Sequence, residues 1–383
     1  MQSVPACSVA DVAAAARARG LTLGEVVERA MELAGRSHAQ RLYVGSNFCS
    51  QYFLRQSMSL WREAFALCRR EGMAATLVVP VVSQRDLAEA CQLVEEILTS
   101  YGDMVDEITV NDVGMFAYCR QRCGRAINLG RLFFKEPRDP RYADLFETRH
   151  AVGLPAVLTG LFSRGEVAGI EIDPTHAALD LSEVRGFLPQ VSVGVHMPYC
   201  YLSTGNVCEF AGIGRPVREK FRPNAPCAME CARCSVGYGL PYGTRMLKWG
   251  RTVYFPNHGC TVCEGEDFRM IVTPFDVLVP RRDSATRNGP TAVFRPEGRT
   301  APAARAGVRG AAASGALATR GKPAGRDDLT AAGASARKGD LAAASMRAAT
   351  GAPAEAGALA VDVPVGASLP TAAGAPVGAG ARP

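Results

Sequence analysis

AATLVVPVVS (residues 74–83) is apolar almost throughout, too continuously so for a strand with one wet face. Runs of this kind are buried on both faces, as the strands of a parallel sheet are. Working outward, short apolar runs alternate with amphipathic stretches on both sides of it. Upstream, residues 8–35 read as helical. SVADVAAAARARG ends at Gly20, and Thr22 is placed to cap LGEVVERAMELAG, where Val26, Val27, Ala30, Met31 and Leu33 recur near helical spacing. RLYVGSN is then a strand ending at Gly45, with Cys49 just beyond it. Tyr52 to Arg70 reads as a helix whose apolar face holds Phe53, Leu54, Leu60, Trp61, Phe65 and Leu67.

Downstream the alternation continues. Arg85 to Thr99 reads as a helix and DEITVND as a strand ending at Asn111 and Asp112. Gly114 to Arg122 is a short helix, AINLGRLFF a strand, and Ala156 to Ser163 a helix. VAGIEID is a strand ending at Glu171 and Asp173, Leu179 to Phe187 a helix, and QVSVGVHMP a strand ending at His196. Strands separated by helices imply right-handed parallel crossovers. Six such units predict an α/β fold: a parallel (β/α) barrel, complete or partial, rather than an open doubly wound sheet. No GxGxxG or P-loop sequence follows any strand, so no dinucleotide or nucleoside-triphosphate signature is present.

Cys49, Asn111, Asp112, Glu171, Asp173 and His196 fall at or just past strand C-termini, the catalytic face of a parallel barrel. Asn111, Asp112, Glu171, Asp173 and His196 are therefore candidates for substrate hydrogen bonds and proton transfer. Turn formation and helix capping compete with that reading, most directly at Asp112 and Asp173.

From about Arg281 the composition changes to Ala, Gly, Pro and Arg with few large apolar residues. Such a segment cannot bury enough apolar area to offset its ordering entropy, so 281–383 is expected to be a disordered tail after a domain spanning 1–280. The tail carries a net +7 while the whole chain is +6, leaving residues 1–280 near −1. The basicity is thus weak evidence for a nucleic-acid face on the folded part. The N-terminus has no basic start followed by a long apolar core, and no run approaches the roughly 20 apolar residues that span a bilayer. A cytoplasmic protein without a membrane span is expected.

The cysteines carry the chemistry. Cys200, Cys208, Cys227, Cys231 and Cys234 fall within Val191–Tyr238, and the Cys-rich segment extends over 191–265. In a reducing compartment such a group points to a metal or cluster site more than to disulfides. Single members can equally be buried apolar thiols. Cys260 and Cys263 form a C-x2-C pair that, with Cys234 and His258, could hold zinc or a second cluster. Cys7, Cys68, Cys91, Cys119 and Cys123 sit in or beside helical stretches and read as core.

At VNDVG (110–114), LGRLFFKEPRDPRY (129–142) and the cysteine block, the sequence resembles peptidase family U32, over roughly Arg41 to Gly265. YVGSNFCS (43–50) and the C-x3-C pair are most similar to its ubiquinone-biosynthesis branch, of UbiV-like type. That resemblance implies Cys49, Cys208, Cys227 and Cys231 as ligands of one [4Fe–4S] cluster, four thiolates being the usual set. The chain departs from the pattern in a longer gap between Cys208 and Cys227. Cys200 and Cys208 also look like the pair used by other members; on that pattern Cys200 replaces Cys49 and Cys260 replaces Cys231. The family implies oxygen-independent hydroxylation of an aromatic quinone precursor together with a homologous U32-family subunit. Its alternatives are hydroxylation of an RNA base and collagenase-like proteolysis. Near-neutral charge over 1–280 favours a small aromatic substrate over RNA. No H-E-x-x-H or G-x-S-x-G motif supports a peptidase, although His176, His196 and His258 could serve a cysteine nucleophile.

Overall fold

The computed structural model describes residues 3–134, 149–151, 156–174, 178–240, 245–258, 262, 267–279 and 291–292. Eight parallel strands close into a barrel: β1 (Val4–Ser8), β2 (Arg41–Gly45), β3 (Ala74–Val79), β4 (Val105–Val110), β5 (Ala126–Leu129), β6 (Gly169–Ile172), β7 (Ser192–Met197) and β8 (Arg269–Val272). Each strand pairs with its neighbours in sequence, and β8 returns to β1. This is the expected parallel (β/α) barrel, and it is closed.

The six strands read from the sequence are β2 to β7. The two that complete the circle are short. β1 opens with VPACS, at the head of an Ala-rich run, and β8 is RMIV, far downstream. Neither has a β-period of its own; each is fixed by the backbone hydrogen bonds its neighbours leave open. Cys7 consequently lies in a strand, not in a helix. The helix expected over Tyr52–Arg70 is two helices, Ser50–Arg55 and Met58–Glu71, separated at the extended Gln56. AINLGRLFF stops being strand at Leu129 and tightens into a 3-10 turn at Arg131–Phe133. Leu179 lies in a strand, Ala178–Asp180, paired with Arg149–Ala151, and the helix begins at Ser182. The cap at Thr22 is as expected. Its hydroxyl accepts from the Glu25 amide at 3.2 Å, and the Glu25 carboxylate accepts from the Thr22 amide at 2.8 Å.

Between sheet and helices lies a large apolar layer, with Leu42, Leu77, Ile108, Trp61 and Phe65 among its members. Inside the barrel a small cluster of Ala6, Ala10, Tyr43, Val78 and Ile271 shares the space with polar side chains. At the N-terminal end, Arg269 grips Glu107 through two hydrogen bonds of 2.8 and 3.0 Å and also reaches the Tyr43 hydroxyl. Gly194 makes room higher up, since a Cβ there would stand 2.7 Å from Ile271 Cδ1 and 3.2 Å from Glu171 Cγ.

Residues 198–268 are inserted between β7 and β8. They carry most of an antiparallel sheet in the order Tyr199–Thr204, Thr252–Pro256, Arg245–Trp249, Val236–Gly239. Thr291–Ala292, from the stretch expected to be disordered, adds an edge strand to it. The rest of 281–383 lies outside the described residues. Among the described residues no helix is long and apolar enough to cross a membrane.

Candidate metal centre

Cys49, Cys208, Cys227 and Cys231 line one cavity. Asp11, three residues beyond β1, lines it too, as does Phe48 beyond β2. The cavity therefore sits at the C-terminal end of the barrel, under the insertion. The two parts are pinned together. Trp249 Nε1 donates to the Asp11 carbonyl at 2.9 Å, Arg19 Nη1 to the Ala232 carbonyl at 2.9 Å, and Arg251 Nε to the Phe48 carbonyl at 2.7 Å.

Each thiol arrives by a different local device. Cys49 is the N-cap of helix Ser50–Arg55, and its sulfur accepts from the Tyr52 amide at 3.4 Å. The amides of Phe210 and Ala211 donate to Cys208, in the turn that opens a 3-10 helix at Phe210–Gly212. The Met229 amide donates to Cys227, and Cys231 lies in the 3-10 turn Glu230–Ala232. Burial pushes the Cys49 thiol up to about 11, against the pull of the Arg251 guanidinium. Cys208 and Cys227 are also raised by burial. Cys231 is raised well above the ordinary thiol value, by burial and then by Cys49, Cys208 and Cys227 around it. These four soft donors are the residues that could hold a metal group.

Asp11 is buried and has a left-handed backbone, with φ of 68°. Its carboxylate accepts from the Ser46 hydroxyl, from the Asn47 amide at 2.9 Å and from Asn47 Nδ2 at 3.1 Å. Aromatic walls complete the cavity: Phe48, Tyr52, Trp249 and Tyr254.

The other expected thiols stand elsewhere. Cys200 does not line the cavity; it packs with Met246 and Phe255, and its thiol donates to the Pro174 carbonyl at 3.2 Å. Cys234 is buried outside the cavity, and Cys260, Cys263 and His176 lie outside the described residues.

None of the five strand-end candidates lines the cavity. Asp112 caps helix Val113–Arg122, its two oxygens accepting from the amides of Met115 at 2.6 Å and Val82 at 2.7 Å. Asn111 is buried; its Nδ2 donates to the Val79 carbonyl at 3.1 Å, and its Oδ1 has no partner. Asp173 is locked to the buried Arg131, with Nε to Oδ2 at 2.8 Å, and also accepts from the Tyr201 amide at 3.2 Å.

Glu171 and His196 do meet, inside the barrel, at 2.9 Å between Oε2 and Nε2. Thr109 donates to the other carboxyl oxygen, while His196 Nδ1 has no partner. Burial lifts the Glu171 carboxyl to about 7 and holds His196 well below the usual imidazole range. The signs oppose. The stability Glu171 contributes is complete below the ordinary glutamate value and is lost as pH rises through about 7. His196 contributes stability above the ordinary histidine value, lost as pH falls below it. Glu171→Gln keeps both hydrogen bonds and removes the first loss. The variant is expected to be more stable than the parent at pH 8, by as much as about 3 kcal/mol, and nearly equal to it at pH 4.5. Urea unfolding at both pH values checks this; parallel curves at both would show that no buried carboxyl is being ionised.

Sequence reasoning missed Asp11, Arg131, Arg251 and Tyr254. Asp11 sits alone in an Ala-rich run, and Arg251 in a hairpin turn after Gly250. Only the burial of a charged residue distinguishes them, and burial is not written locally.

The class that emerges is a closed (β/α) barrel with a thiol-lined cavity at its C-terminal face, roofed by a β-sheet insertion. No family model matches the chain, and no curated protein does. Two solved structures overlap it: a chitinase from Chromobacterium violaceum ATCC 12472 and a class V chitinase from Pseudomonas fluorescens Pf-5. Each is 9% identical and covers 71% of this chain; 93% and 94% of those chains are covered, with TM-scores of 0.33 and 0.30. Likeness at that level says nothing of function.

Proposed function

We propose that this chain is an iron–sulfur protein of the U32 type, of the UbiV-like branch, taking part in oxygen-independent hydroxylation of a small aromatic quinone precursor with a homologous partner subunit. The observation that carries it is the convergence of Cys49, Cys208, Cys227 and Cys231, distant in the chain, on one cavity. The donor set fits a [4Fe–4S] cluster. Desolvation holds these four half-buried thiols protonated, at Cys231 with neighbouring cysteines adding to it, and a soft polynuclear cation binds them as thiolates and removes that penalty. Among the described residues no three His, Cys, Asp or Glu side chains converge enough to hold a single ion. Amide hydrogen bonds to Cys49, Cys208 and Cys227 are of the kind that tune a cluster's potential.

When bound, such a cluster supplies electron transfer and Lewis acidity at iron. Phe48, Tyr52, Trp249 and Tyr254 give an aromatic substrate rings to pack on. Asp11 offers a carboxylate held in place by three donors, and Arg251 a cation beside Cys49. Near-neutral charge over 1–280 favours a small molecule over RNA. A cysteine-peptidase reading has less support, since no described histidine lines the cavity.

Anaerobic purification with iron and sulfide quantification and EPR tests the reading. About four irons per chain, as expected of a [4Fe–4S] centre, should be lost in Cys49→Ala, Cys208→Ala and Cys231→Ala and kept in Cys200→Ala. Zinc without iron, or no metal, overturns it.

A further inference from the structure

Six large apolar side chains are strongly exposed among the described residues, and three of them, Ile213, Val217 and Phe221, fall on one stretch between Cys208 and Cys227. They stand at 41%, 83% and 62% exposure, at intervals of four residues. Arg215, Arg218, Lys220 and Arg222 alternate with them, against a single acid, Glu219. Arg218 is 84% exposed, as outward as Val217 beside it, so the segment protrudes there. Glu219 lies 3.6 Å from Arg218, and Arg215 is tied back to the Pro226 carbonyl at 2.6 Å, which closes the segment at its base. Phe221 has φ of 57°, a left-handed backbone that bulky residues rarely adopt. That backbone costs free energy, and the outward ring recovers little of it through burial.

We propose that residues 213–222 form a docking loop for an anionic lipid surface, with Ile213, Val217 and Phe221 entering the headgroup–acyl boundary and the exposed Arg218 and Arg222 meeting lipid phosphates. The charge is complementary to such a surface, with four Lys/Arg against one acid over residues 213–222. A protein partner needs roughly 800 Å² of matched surface on this side. Three side chains standing singly between cations do not supply that, whereas a headgroup layer takes each one separately. The inference stands apart from the cluster: the loop is read from exposure and charge alone.

Co-sedimentation of the full chain with vesicles tests it, using phosphatidylcholine alone and phosphatidylcholine mixed with phosphatidylglycerol. Binding is expected only to the anionic vesicles, weakening as salt is raised. Arg218→Glu and Arg222→Glu should each lower partitioning about fivefold or more. Phe221→Ser should lower it at least about tenfold, with circular dichroism unchanged. Phe221→Trp should bind as the parent does, with its emission shifted to the blue by anionic vesicles. Loop variants that bind as tightly as the parent would assign the binding to the basic stretch beyond residue 280 and overturn the proposal. A parent that ignores anionic vesicles at low salt overturns it too, and turns the surface over to an acidic protein. Both are read whether or not the protein carries iron.

Discussion

Asp173→Ala should destabilise the barrel by about 3–5 kcal/mol, the usual cost of leaving a buried charge alone. Arg131 and Asp173 are the most enclosed ion pair described, with side-chain exposures of 1% and 0%. The guanidinium also donates to the Tyr199 carbonyl at 3.1 Å and lies over the rings of Phe48 and Tyr201, at 5.3 and 5.4 Å. Removing the carboxylate strands a cation that a guanidinium's intrinsically high pKa keeps charged, and takes away the partner that offsets its burial. The double variant Arg131→Met/Asp173→Leu removes both charges and should recover most of the loss. Denaturant unfolding of the three proteins decides it. A single variant within about 1 kcal/mol of the parent would mean that water reaches the pair, and would return Asp173 to the candidates for proton transfer.

Gly45→Ala is the second large effect. Gly45 has φ of 128°, and a Cβ there would lie 2.2 Å from the Val78 carbonyl oxygen, a backbone atom that cannot swing away. Strain and overpacking together should cost about 3 kcal/mol or more. The damage should spread beyond stability. The Gly45 carbonyl accepts from the Asp11 amide at 3.1 Å and from Gln56 Nε2 at 2.9 Å. The turn after it delivers Ser46 and Asn47 to Asp11, and Cys49 to the cavity. Lower soluble yield is the expected result and, on the proposed iron–sulfur reading, lower iron content in the soluble fraction with it. An alanine variant with the parent's unfolding midpoint would show that β2 and β3 can part at this point without cost.

The barrel was legible because β2 to β7 are apolar runs spaced by helices, and chain order then dictates the winding. β1 and β8 were not legible, because VPACS and RMIV acquire their structure from partners at the opposite end of the chain. At the site, the cysteines were visible by residue type and by resemblance; which four share a cavity rests on how the insertion folds back over β1 and β2. The polar strand ends misled in a physical way. Asp112 answers the open amides of a helix start and a loop, and Asp173 answers an arginine from the neighbouring connection. Glu171 and His196 point into the barrel, where the cysteine cavity does not reach. Position at the C-terminal end of a strand marks where chemistry can occur, and the same position also serves the architecture.

The placement of the insertion has a consequence for synthesis. Cys49 leaves the ribosome early, while Cys208, Cys227 and Cys231 belong to a segment that can settle only against a closed circle, and the circle closes with β8 at residues 269–272. A growing chain therefore presents isolated, unconstrained thiols for most of its translation. Completion of the cavity is therefore timed by the emergence of the last barrel strand, with the stretch up to residue 383 still to follow.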